Sequence, residues 1–397
     1  MLDKISKAVE ARRGEAISLL QDLIRVPSPS REEAEVAQLI VTKMRKAGWD
    51  SVEVDELHDV MGSIRGRGGG RSILFNGHID HVPEGDMEDP YSGKVADGTP
   101  FGVEGEVVYG RAASDMKGAV AAMMMAGNVL KGLGVNLKGD FKVAAVSQEE
   151  IGGAGTISTI EEYGFLGDLV VIGEATDMEV ALGHRGSTKA EVVVRGRSCH
   201  ASAPERGVNA LHKAVDIISR IRDDLIPRLP DHPLYGMTTL TTTRISVKPE
   251  ASNVVPEECR FTVDCRYNPD FPTEKLDASL TEVIEAAKKD DPEVDAYVVP
   301  REVRRRFSGF YTNPDDFPVV DEAKRAVAEV LGREPTVSTW RFATDGRLYY
   351  WKGIPVFGFG PGEERSAHTH LDHVRVEDYI EAIKVYAWLA IRICGVG

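Results

Sequence analysis

The sequence predicts an α/β protein: a catalytic domain built on a mixed sheet, interrupted by a smaller α+β domain. Two observations carry this prediction. Short β-rich apolar runs alternate with helical periodicity near both ends of the chain, and between them the pattern switches to strands of alternating polarity flanked by two helices. A domain whose pattern stops and resumes is a discontinuous one, so we expect residues 1–186 and 302–397 to form the larger domain and 187–301 the inserted one.

Helical periodicity runs from Leu2 to Arg25, stops before Pro27, and resumes after Ser28-Pro29-Ser30 through Glu33–Ala47. Strands follow at Val52–Val54, Met61–Ile64, Ser72–Phe75, Phe141–Val146 and Leu169–Ile172, with an alanine- and methionine-rich helix at Gly118–Leu133. In the middle of the chain, Lys189–Val194, Thr238–Val247, Arg260–Tyr267 and Ala296–Val299 read as strands, and Asn209–Leu225 and Thr273–Lys289 as helices. The first pattern then returns with the helix Val319–Leu331, the strand Val356–Phe359 and the helix Val376–Ile393.

With 397 residues and 42% apolar content, the chain can bury two or three cores. A net charge of −15 argues against nucleic acid or an anionic membrane as partner. Cys199, Cys259, Cys265 and Cys394 lack the short paired spacing of a zinc ribbon or a disulfide framework, and read as reduced thiols. Met1–Glu15 mixes charged and apolar residues without an apolar leader core, and no run is long enough to span a membrane, so the expected location is cytoplasmic.

The chemistry gathers where predicted strands run into turns. His78 and Asp80 end the run Ser72–Phe75 within Asn76-Gly77-His78-Ile79-Asp80-His81. An imidazole and an acid two residues apart fit either metal ligation or a structural hydrogen bond. Asp115, in the turn before the alanine-rich helix, fits a ligand or a helix N-cap. Glu149 and Glu150, between the strand Phe141–Val146 and Gly152-Gly153, fit either a solvated pair or two acids with different tasks. Glu174 follows Leu169–Ile172, and His368 follows the strand Val356–Phe359 and the Gly360-Pro361-Gly362 turn. Such a nitrogen–oxygen set suits zinc, manganese or cobalt better than a thiolate site.

In this combination and order, Gly77-His78-Ile79-Asp80, Ser114-Asp115-Met116-Lys117-Gly118, Gln148-Glu149-Glu150, Gly173-Glu174-Ala175-Thr176 and Ala367-His368 resemble the co-catalytic zinc hydrolases that include acetylornithine deacetylase, succinyl-diaminopimelate desuccinylase, aminoacylase and glutamate carboxypeptidase. Ser198–Gly207 and Trp340–Gly346 look most like the selenium-metabolism-linked branch. The resemblance implies two zinc ions per chain, with cobalt or manganese as alternatives. Asp115 would bridge them, His78 and Glu174 completing one site and Glu150 and His368 the other. Glu149 would be the general base, taking the proton of a metal-bound water and passing it to the leaving nitrogen. Asp80 would accept a hydrogen bond from His78, Asp345 would orient a ligand, and the Asp115–Met116 peptide would be cis.

The resemblance gives the inserted domain a lid and dimerisation role. His200 would reach a partner's active site in a homodimer to polarise the substrate carbonyl; its plain alternative is a surface loop histidine. Asn253 and Arg266 match residues that hold the substrate carbonyl and carboxylate, and an Arg266–Asp264 surface pair is the alternative reading of Arg266. Because His200 and Arg266 lie on one domain and the metal ligands on the other, closure of the two around the substrate is expected.

The end of the chain departs from the family. Leu371 and Asp372 stand where relatives carry an Asn-Glu or Asp-Glu pair, which puts a hydrogen bond supporting His368 in question and makes His370 a rival ligand. The implied activity is hydrolysis of an amide-type C–N bond in a small carboxylate-bearing substrate: an N-acyl amino acid, a dipeptide or an N-carbamoyl amino acid. A non-catalytic ligand-binding member of the fold is the rival, and the intact Glu149 speaks against it. A nucleotide-binding α/β protein would need a phosphate loop opening a helix, whereas Gly66–Gly70 reads as a hairpin turn.

Overall fold

The computed structural model describes residues 1–300 and 308–397. The chain forms two compact units, one of Met1–Gly183 with Thr312–Trp340 and Thr344–Gly397, the other of His184–Tyr311 with Arg341–Ala343. The boundary expected at Arg301 falls outside the described residues.

The first unit is built on a mixed sheet whose strands lie in the order Ser51–Val54, Val60–Ile64, Phe141–Val146, Ile73–His78, Leu169–Ile172, Val356–Gly358 and Val180–His184. Four neighbours, Phe141–Val146, Ile73–His78, Leu169–Ile172 and Val356–Gly358, run parallel. Parallel strands are covered on both faces, which is why these read as unbroken apolar runs. All six residues of Ile73–His78 are buried. Phe75 meets Tyr386 of the helix Val376–Cys394, while Asn76 donates to Thr156 and Tyr349, so alternate side chains pack against opposite helical layers.

The register decides where functional groups gather. His78 pairs with Val146, Asn76 with Ile172, and Ile172 with Gly358. The carboxyl ends of four strands therefore finish at one level, and the turns leaving them converge.

Most expected elements are present, and the differences have physical causes. The Leu2–Arg25 helix is two helices, Leu2–Ala11 and Arg13–Ile24, broken at Arg12, whose guanidinium donates to the Asn128 carbonyl. Each half buries its own stripe, Ile5 and Val9 in one and Leu19, Leu20 and Leu23 in the other, so the apolar period reads through the break. Gly66–Gly70 is not a hairpin turn, because Phe141–Val146 lies between the strands it joins. The segment instead follows Leu137–Gly139, with Arg67 and Gly68 amides donating to Leu137 and Lys138 carbonyls. The sequence reading also missed a small sheet of His373–Arg375, Glu106–Tyr109 and Lys94–Asp97, and the helix Ala154–Glu161.

The second unit holds an antiparallel sheet in the order Thr239–Lys248, Glu258–Tyr267, Gly186–Arg195 and Asp295–Val298. Every second residue of Glu258–Tyr267 is buried, the mark of a sheet covered on one face. That face packs on the helices Ala210–Arg220 and Thr273–Asp290 through Val192, Val194, Ile217, Phe261, Leu280 and Ile284. Asn209 caps the first helix by accepting from the Leu211 and His212 amides. Thr239–Lys248 is an edge strand, with Ile245 47% exposed. Among the described residues, no helix is long and apolar enough to cross a membrane.

Candidate metal centre

Asp115 stands between two imidazoles. One carboxylate oxygen, Oδ1, lies 2.9 Å from Nε2 of His78, and the other, Oδ2, lies 3.0 Å from Nε2 of His368. Asp115 is not a helix cap: the helix starts at Gly118, and Asp115 has non-helical φ −129° and ψ 89°. The Asp115–Met116 peptide is cis, as expected. Lys117, buried behind it, donates to the Leu23 and Val26 carbonyls and ties the loop to the helix Arg13–Ile24.

Around His78, Glu174 Oε1 lies 3.6 Å from Nε2. Around His368, Glu150 Oε1 lies 2.9 Å from Nε2. Ligand atoms of His78, Glu149 and Glu174 all lie within 4.8 Å of one another, as do those of His78, Asp115 and Glu150. Glu149 is thus close enough to be a ligand as well as a base; its position beside His78 and Glu174 is where a proton acceptor for attacking water belongs. Of the two rival histidines, His368 meets the acids; His370 is exposed and forms no ion pair with an acid among the described residues.

The electrostatics express crowded negative charge. Desolvation, with Asp345 next, holds the Glu149 carboxyl well above the usual range; desolvation, with Asp115 next, does the same to Glu174. Burial opposes charge on Asp115, but His368 and His78 outweigh it and hold its carboxyl low. Burial also opposes charge on His78, yet Glu174, Asp115 and Asp80 outweigh that and push the imidazole up. Asp115 and Glu150 raise His368 to about 10. Among the described residues, one oxygen of Glu174 and both of Asp345 are buried without a hydrogen-bond partner, although Arg347 lies 3.5 Å from Asp345.

Asp80 accepts from His78 as expected, but through its backbone. The His78 Nδ1–H does not go to the Asp80 carboxylate, which is 3.5 Å away, but to the Asp80 carbonyl at 2.9 Å. A carbonyl only accepts, so the neutral ring carries its proton on Nδ1 and turns the Nε2 lone pair toward the acids, the tautomer a metal ligand needs. The Asp80 carboxylate instead accepts from the amides of Glu149 and Glu150, at 3.1 and 3.3 Å, and from Ser30 Oγ at 2.7 Å. Asp372 supports the loop that carries Asp115, accepting from the Ala112 and Ser114 amides at 2.7 and 2.8 Å and pairing with Arg111.

The donor set fits divalent cations. Four carboxyls and two imidazoles converge, one ring is held in the ligating tautomer, and a buried glutamate oxygen has no partner among the described residues; positive charge at the centre would offset the crowding.

Residues 74–392 match peptidase family M20/M25/M40. The chain belongs to this family. The uncharacterised protein YgeY of Escherichia coli K12 is 32% identical over 394 residues, covering 94% of both chains. A succinyl-diaminopimelate desuccinylase of Methylobacterium radiotolerans is 30% identical over 391 residues, 94% of this chain and 95% of the relative. The YXEP protein of Bacillus subtilis, described as a dinuclear metal binding peptidase, superposes with a TM-score of 0.71 at 18% identity, covering 97% of this chain and 99% of that one. This member of the M20/M25/M40 family is a hydrolase with the family's mixed α/β fold, and its centre is one for divalent metal.

On the second unit, His200 pairs in register with Val254, and the Ala201 amide donates to the Asn253 carbonyl, so His200 and Asn253 are close neighbours. The Ser202 amide donates to His200 Nδ1 at 3.2 Å, with Ser202 Oγ at 2.8 Å. An amide can only donate, so the neutral His200 ring carries its proton on Nε2. Arg266 is exposed and donates through Nε to Asp264 at 3.0 Å, so the surface ion pair weighed as the plain reading is present.

Two carboxylates near the centre escaped the sequence reading. Glu33 and Asp59, both buried, accept from the amides of Gln148 and Ser147.

Proposed function

We propose that this chain hydrolyses an amide-type C–N bond of a small carboxylate-bearing substrate, with Glu149 as general base. The observation that carries the reading is Asp115, one oxygen on each of two imidazoles, with Glu149 in reach of His78 and Glu174. His78, Asp115 and Glu174 would hold one divalent cation and Asp115, Glu150 and His368 a second, zinc first and cobalt or manganese as alternatives. When bound, such ions polarise a carbonyl and make water more acidic.

The chain's own groups do the rest. Glu149, its carboxyl desolvated and biased toward holding a proton, takes one from the attacking water and delivers it to the leaving nitrogen. His200 donates through Nε2–H to the oxygen on which charge develops. Arg266, oriented by Asp264, binds the substrate carboxylate, and Asn253 the carbonyl. The exposed edge Thr239–Lys248 supports a homodimer through the second unit, by pairing with its twin. An N-acyl amino acid or a dipeptide is the favoured substrate class, the desuccinylase relative being an amide hydrolase by name. An N-carbamoyl amino acid would use the same groups.

The test is a zinc- or cobalt-reconstituted screen of N-acetyl, N-succinyl and N-carbamoyl amino acids beside dipeptides, run with Glu149→Gln. The variant should keep its fold and bound metal while kcat on the best substrate falls by ~10²–10⁴. Near-normal turnover in Glu149→Gln would overturn the mechanism.

A further inference from the structure

Four consecutive backbone amides, those of the two acids and of the two residues before them, are each received by a buried carboxylate. Ser147 N donates to Asp59 Oδ1 at 2.6 Å, Gln148 N to Glu33 Oε1 at 3.1 Å, Glu149 N to Asp80 Oδ1 at 3.1 Å and Glu150 N to Asp80 Oδ2 at 3.3 Å. The three acceptors come from separate segments: Glu33 precedes the helix Ala34–Lys46, Asp59 precedes the strand Val60–Ile64, and Asp80 follows Ile73–His78. All three are 0% exposed.

Packing alone does not account for them. A buried carboxylate costs free energy unless its oxygens are satisfied, and among the described residues Glu33 Oε2 and Asp59 Oδ2 are buried without a hydrogen-bond partner. Apolar side chains of similar volume would fill the same space but leave the four amides without acceptors. What the acids achieve that apolar groups cannot is to fix the amide directions of a turn in which Gln148 is left-handed, at φ 56°. Glu149 and Glu150 are adjacent in sequence but face different tasks, so their Cα–Cβ directions depend on how this turn is held.

We propose that Glu33 and Asp59 are positioning residues for Glu149 and Glu150, completing with Asp80 a carboxylate cradle for the Ser147–Glu150 turn. The proposal rests on the roles given to the acid pair above. Glu33 also accepts from the Arg31 amide at 2.9 Å, so it clamps the Ser30–Glu33 segment to the turn, beside the Ser30 hydroxyl that holds Asp80.

The experiment compares Glu33→Gln, Glu33→Asp and Asp59→Asn with the parent enzyme, all metal-loaded. Four quantities are read: kcat, KM, bound metal, and hydrogen exchange of the peptide covering Ser147–Glu150. Glu33→Gln and Asp59→Asn keep an acceptor oxygen in place and should remain within about threefold of the parent kcat. Glu33→Asp keeps the charge but withdraws the oxygen by one methylene; kcat should fall about tenfold or more at unchanged KM, with faster exchange of the turn. Exchange and kcat both unchanged in Glu33→Asp would overturn the cradle. Faster exchange with unchanged kcat would overturn the positioning role, and if Glu149→Gln is equally harmless the fault lies in the catalytic reading of the pair.

Discussion

At the scale of single residues, the centre shows how tautomer and burial are set by partners. His78 and His200 hold opposite tautomers: one ring gives its Nδ1 proton to a carbonyl, the other accepts at Nδ1 from an amide. His81 extends the point. Its Nε2 accepts from the Ser28 amide at 2.9 Å and its Nδ1 lies 2.8 Å from the Val82 carbonyl, so a second proton would destroy an acceptor. Burial pushes its pKa from 6.5 down to about 4. The unfolded chain therefore binds a proton that the folded chain refuses. The stability contributed by the neutral ring is complete above pH 6.5 and is lost as pH falls toward about 4, by roughly 2–3 kcal/mol. Urea unfolding in the presence of a chelator should show this loss in the parent protein and lack it in His81→Gln. Equal pH slopes for the two proteins would refute the assignment.

At the scale of elements, backbone contacts that no side-chain pattern announces hold the sheet's ends. A Cβ on Gly139 would lie 1.7 Å from the Arg71 carbonyl oxygen, and one on Gly70 2.1 Å from that of Cys394. Gly14, in the helix Arg13–Ile24, has nothing within 4 Å of its would-be Cβ. The same substitution should therefore have opposite signs. Gly139→Ala should cost about 2 kcal/mol or more through forced backbone separation, while Gly14→Ala should gain roughly 0.5–1 kcal/mol by restricting the unfolded chain. Denaturant midpoints at constant m-value decide it, and a stable Gly139→Ala would show that the Arg71–Gly139 approach is not required.

At the scale of the whole molecule, the metal ligands lie on one unit and His200, Asn253 and Arg266 on the other. If a homodimer forms through the edge strand and His200 serves the partner, two inactive variants should complement each other. Mixing His200→Ala with Glu149→Gln chains should restore one working site of two, assembled from the intact Glu149 of one chain and the intact His200 of the other. With subunit exchange confirmed, no recovery would mean that His200 acts only within its own chain.

What the sequence determined by itself were the local elements and the residues at their ends. Periodicity is a local property, so Phe141–Val146 and Leu169–Ile172 were legible to the residue, and so was each acid or histidine that followed a strand. The motif order was enough to imply the family and the grouping of His78, Asp115, Glu150, Glu174 and His368. The break at Arg12 was hidden because the apolar period continues across it. Only the tertiary structure decided which atoms meet. Parallel register brings four strand ends to one level, and long-range packing chooses the partners of each buried carboxylate. Asp80 therefore serves the Glu149 and Glu150 amides, Asp372 serves the Asp115 loop, and Glu33 and Asp59 are acceptors at all. A carboxylate's partner is set by which amides are left unpaired in the folded chain, and for Glu33 one of them, that of Gln148, lies more than a hundred positions away.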